Sequence, residues 1–86
     1  MKKKSVIEYE IILEKVNKMT IYLLTRHLIS FGMYENNSLA SVARRKRKGP
    51  KYVRLRNRVF YPKKYVIQYI KQEIEDMKSI ESENDE

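Results

Sequence analysis

An 86-residue chain has room for one domain with a thin core, since a chain of this size buries only roughly 60–65% of the surface it exposes when unfolded. Its 42% apolar content is too rich for a wholly disordered polycation, so the middle of the chain is expected to fold. A net charge of +8 makes a polyanion the first candidate partner, the absence of cysteine excludes disulfides and thiolate metal sites, and one histidine, His27, excludes a multi-histidine metal site.

From the N-terminus, Tyr9, Ile12, Val16, Met19 and Leu23 recur at three-and-four spacing, which predicts helix between Val6 and Phe31, either continuous through Asn17 to Thr20 or broken there with a first helix ending near Lys18. Ile7, Tyr9, Ile11 and Leu13 also alternate, leaving an extended arm as the competing reading. Thr20 is placed as the N-cap of a second helix, Ile21 to Ser30, with Ile21, Leu24 and Leu28 buried and Gly32 ending it. His27 lies beside that stripe as a packing residue rather than a catalyst. After the polar turn at Glu35, Asn36 and Asn37, a short helix is expected from Ser38 to Arg47, with Leu39, Val42 and Ala43 inward. Ser41, Arg44, Arg45 and Lys48 fall on its wet side, and Gly49 and Pro50 stop it. Tyr52 to Leu55 and Arg58 to Tyr61 have strand composition around an Arg56-Asn57 turn, which predicts a small hairpin. Pro62 suits the start of a last helix carrying Val66, Tyr69, Ile70, Ile74 and Met77 inward and Lys63, Lys64, Lys71 and Lys78 outward.

Charge is partitioned along the chain. Between Glu35 and Glu73 stand twelve Lys or Arg and no carboxylate, whereas Glu73 to Glu86 carries seven carboxylates against Lys78. The central block is therefore the candidate binding surface, and residues 79–86 read as an acidic, solubilising C-terminal tail. No apolar run is long enough to span a bilayer, and Glu8, Glu10 and Glu14 interrupt what an export signal would need after the basic Met1–Lys4 start. A cytoplasmic location is expected, with no membrane partner. The serines have only His27 as an imidazole base, and there is no glycine-rich phosphate loop or acidic metal cluster, so no catalytic residue, cofactor or metal is assigned and the chain is not expected to be an enzyme.

The order helix, turn, helix, Gly49-Pro50, hairpin, helix, carried by SLASVARRKRKGPKYVRLRNRVFYPKKYVIQYI, resembles the compact winged helix-turn-helix of excisionase and AlpA-like regulators, related to the DNA-binding head of MerR-type activators. Leu39 and Val42 match the recognition helix, Tyr52, Val53 and Leu55 the outgoing wing strand, Arg58, Val59 and Tyr61 its return, and Val66 and Tyr69 the closing helix. The chain departs from the pattern at Arg56, where glycine is usual, and at Tyr65, where an acidic residue is usual. Thr20, Leu24, Thr25 and Leu28 match the family's first helix only loosely. The resemblance implies a mainly α fold with a small β-hairpin: an N-terminal helical extension over 1–19, a winged helix-turn-helix domain over 20–78, and the tail.

On that reading Ser41, Arg44, Arg45 and Lys48 contact the major groove or phosphate, with Arg44 or Arg45 on guanine. Arg54, Arg56 and Arg58, expected along one side of the hairpin, make the wing contact with Asn57, and Lys51, Lys63 and Lys64 hold phosphate. Tyr52, Phe60 and Tyr61 are expected to close the core, with Phe60 the most exposed, rather than stack on bases. The expected function is non-catalytic duplex-DNA binding, as an excisionase-like architectural factor in recombination or a transcription regulator of a mobile element. Two alternatives compete: a single-stranded-DNA accessory subunit of a replication or recombination enzyme, and an RNA- or ribosome-associated adaptor. The apolar excess of residues 6–23 predicts an association face of Tyr9, Ile12, Val16, Met19 and Leu23, for a homodimer or for docking to a recombinase, polymerase or helicase.

Overall fold

The computed structural model describes residues 4–84. Ser5 opens the first helix, α1 (Val6–Asn17), because its Oγ accepts the Glu8 amide at 3.2 Å while Glu8 Oε1 accepts the Ser5 amide. The helical spacing places Ile12 and Val16 inward with Tyr9, Leu13 and Met19 partly covered, and α1 packs along the last helix, α4 (Lys63–Asn84). At the other end, Lys63 Nζ donates to the carbonyls of Asn17 and Met19, each at 2.9 Å, so its charge sits where the α1 dipole is negative.

Ile21 to Leu24 is not the start of a helix. Tyr22–Leu24 forms a strand, β1, followed directly by a short helix, α2 (Thr25–Ser30). Thr20 is exposed and caps nothing; instead His27 Nδ1 accepts the Leu24 amide at 2.9 Å and its ring stacks on Phe31. Strand wins because Leu23 alone of the three must be buried, and its neighbours pair across to the chain's later strand. Of the expected buried stripe only Leu28 is fully inside, and Ile21 is 70% exposed. Gly32, at φ 95°, ends α2 with Gly32 N donating to Ile29 O and Met33 N to Leu28 O.

The third helix, α3 (Asn37–Arg45), starts where Asn36 Oδ1 accepts the Leu39 amide at 2.9 Å. It stops two residues short of the expected Arg47 by the same double hydrogen bond as α2, Arg47 N to Arg44 O and Lys48 N to Ala43 O. Two strands follow, β2 (Val53–Leu55) and β3 (Arg58–Pro62), joined by Arg56 and Asn57 with φ of 48° and 68°. Positive φ at both central residues is the hairpin geometry that matches the twist of its strands. The antiparallel sheet runs β1-β3-β2, with Leu23 opposite Tyr61, and its buried side faces α1, α2 and α4 through Ile12, Val16, Leu28, Val66 and Ile70. The fold is thus mainly helical with a small antiparallel sheet.

Within the expected extension over 1–19, α1 does not stand apart, since it supplies Ile12 and Val16, 3% and 0% exposed, to the common core. The acidic segment does not begin as a tail either, because α4 runs through residues 79–84, while residues 85–86 lie outside those described. Among the described residues no helix is long and apolar enough to cross a membrane.

Candidate nucleic-acid interface

The C-terminal end of α3 turns the basic run outward. Arg45, Lys46, Arg47 and Lys48 are all exposed, and Arg47 holds φ 55°, the left-handed position that glycine fills at the end of α2. Arg44 behaves differently. It is half-buried, its Nη1 donating to Tyr61 Oη at 2.7 Å and Thr25 Oγ1 at 3.4 Å, with the guanidinium 5.9 Å from the centre of the Tyr52 ring. It therefore ties α3 to β3 rather than reaching out to a base edge. Ser41 is half-buried too, so of the four expected groove contacts only Arg45 and Lys48 project freely, and Lys48 does so from beyond the helix.

The hairpin arginines do not share one side. Arg54 pairs with Val59 and Arg58 with Leu55, and cross-strand partners share a face that alternates along each strand. Arg54 therefore lies on the side of Tyr61, past the edge of the core, while Arg58 lies on the outward side with Val53 and Phe60. Arg56 and Asn57 occupy the tip between them, exposed.

Among the lysines, Lys51 and Lys64 remain exposed and converge on one ring, their ammonium groups 5.5 and 5.1 Å from the centre of Tyr65. Lys63 is committed to the end of α1 and is not a free phosphate ligand. Tyr61 is the core aromatic, 1% exposed; Phe60 is half-buried on the outward face; and Tyr52, expected to close the core, is the most open of the three at 37%. Burial, reinforced by the nearby Tyr61 and Tyr9 phenols, pushes the Tyr34 phenol up to about 12. Burial likewise raises Tyr69, beside Tyr9 and Glu73. These phenols are neutral at ordinary pH.

Sequence pattern alone does not single out Lys46, Arg47 and Tyr65. The first two belong to the same basic run, but their outward position follows from where α3 ends. The expected association face is also relocated. Ile12, Val16 and Leu23 are inside this chain's own core with Tyr9 and Met19 against it, because α4 and the sheet already cover that stripe. The exposed apolar groups include instead Ile7 and Ile11 on α1, and Ile21, Tyr22, Val53 and Leu55 around an open groove of about 870 Å³ on the outward side of the sheet. Among the described residues no three metal-ligating side chains converge. No family model, curated protein or solved structure matches this chain.

Proposed function

We propose that this chain is a non-catalytic, cytoplasmic duplex-DNA-binding protein of the winged helix-turn-helix type, an architectural factor or regulator of a mobile element. In this reading α3 enters the major groove by its C-terminal half, with Arg45 as the base-reading residue, and the β2–β3 hairpin is the wing whose Arg56 reaches the minor groove. Arg47, Lys48, Lys51, Arg54, Arg58 and Lys64 hold phosphate.

The observation that carries the reading is the pair of arginines at left-handed backbone positions, Arg47 after α3 and Arg56 at the hairpin tip. Both sites suit glycine, and an arginine there costs backbone strain without contributing to the core. A charge kept at a conformational cost on two exposed turns is explained by an anionic partner that contacts both. The element order and the β1-β3-β2 sheet further support the winged reading.

The test is a binding comparison of duplex DNA, single-stranded DNA and structured RNA at two salt concentrations. The expected result is tightest binding to duplex, with affinity falling on the order of 10³-fold between 50 and 200 mM salt if roughly six phosphates are engaged. Replacing Arg45 by alanine should narrow the preference for a selected site over random duplex. Equal losses on both would remove the base-reading role, and stronger binding to single strands or RNA would favour the accessory-subunit or adaptor alternatives.

A further inference from the structure

Between the C-terminal end of α3 and the start of β2 lies an open cleft of about 660 Å³, within the size range of small-ligand sites. Its walls combine the rings of Tyr34, Tyr52 and Tyr65 with the cationic groups of Arg44, Arg47 and Lys51, and no carboxylate among the described residues lines it. Two details make it a formed site. Arg44 is fixed at the back by Tyr61 and Thr25. At Gly49 the backbone runs bare against Tyr34, whose hydroxyl would come within 2.6 Å of any added Cβ.

The mixture of linings restricts the ligand. An apolar molecule would desolvate the cations without compensating them, and an inorganic anion would leave the ring faces wet. A flat aromatic group carrying a phosphate satisfies both. We propose that the cleft holds one unstacked nucleotide, its base against Tyr52 and its phosphate on Arg47 and Lys51. The protein then favours DNA with an unpaired nucleotide over fully paired duplex. This rests on the nucleic-acid reading above and adds to it a preference for overhangs, forks or extruded bases.

Fluorescence anisotropy with a blunt duplex and the same duplex carrying a short single-stranded overhang tests this directly. The overhang should bind about tenfold tighter, the scale of stacking one base on an aromatic side chain. Tyr52→Phe should keep that ratio, while Tyr52→Leu should bring it close to one and leave blunt-duplex affinity unchanged, with circular dichroism confirming the fold. Deoxyadenosine monophosphate should compete for the overhang better than inorganic phosphate or deoxyadenosine. Equal affinity for the two duplexes would overturn the cleft inference while leaving duplex binding intact, as would tighter binding of a phosphotyrosine peptide than of the nucleotide. Absence of binding to every nucleic acid at low salt would overturn the proposed function itself.

Discussion

The Arg44 guanidinium donates at 2.7 Å to a hydroxyl whose residue, Tyr61, is 1% exposed, whereas Arg45 beside it is in solvent. One residue of helix rotation separates an internal tie from a candidate base contact. The consequence is measurable as stability. Arg44→Ala leaves the Tyr61 hydroxyl without this partner and should cost about 1–3 kcal/mol. Tyr61→Phe in the same chain removes the orphaned hydroxyl, so the double variant should cost less than the sum of the two single ones in urea denaturation. Arg44→Ala with unchanged stability but a lost preference for a selected duplex would restore Arg44 as the reader of bases. Nothing in the run RRKRK distinguishes its first arginine from its second, because the distinction lies in Tyr61, on a strand formed later in the chain. Lys63 is a parallel case, its ammonium held by the carbonyls of Asn17 and Met19 around the end of α1.

Elements with their own punctuation are legible in the sequence. Glu35 to Asn37 marks the start of α3, and Asn36 is its cap; the two-residue spacer Arg56-Asn57 sets the hairpin; Pro62 immediately precedes α4. β1 is not legible in this way, because Ile-Tyr-Leu-Leu fits either a buried helix or a strand, and only pairing of Tyr22, Leu23 and Leu24 with Pro62, Tyr61 and Phe60 decides between them. The faces of Arg54 and Arg58 likewise depend on register, which the turn geometry fixes. At the turns themselves the chain departs from the local optimum. The same helix-ending hydrogen bonds close α2 on Gly32 and α3 on Arg47. Arg47→Gly and Arg56→Gly should therefore each raise stability by about 0.5–1 kcal/mol, relieving left-handed strain against the added freedom of the unfolded chain. Each should also weaken the proposed DNA binding, and Arg47→Gly, which removes a phosphate contact, should flatten its salt dependence by roughly one unit of slope. Stabilisation with unchanged affinity would mean these arginines are tolerated rather than used.

Across the whole molecule, the segment that sequence sets apart is the one the core cannot lose. The apolar excess of residues 6–23 exists because α1 must cover α4: Ile12 and Val16 are buried against Val66, Ile70 and Leu23, with Leu13 partly covered. Fully burying an aliphatic side chain contributes roughly 1.5–3 kcal/mol, so Ile12 and Val16 alone supply on the order of 3–6 kcal/mol, a large share of the stability of a small domain. Removal of residues 1–18 would also uncover Val66 and Ile70 and take from the Lys63 ammonium its acceptor on Asn17, leaving only that on Met19. The shortened chain, 19–86, should therefore lose its cooperative thermal transition by circular dichroism and with it the ordered placement of Arg45, Arg47 and Arg56 on which the proposed duplex binding rests. A double replacement of Ile7 and Ile11 by serine, at positions 68% and 48% exposed on the outer side of α1, should by contrast leave the midpoint nearly unchanged. A cooperative transition at an unaltered midpoint in the 19–86 chain would show that the sheet, α2, α3 and α4 close a core without α1, and would return the N-terminal helix to the role of a separable arm.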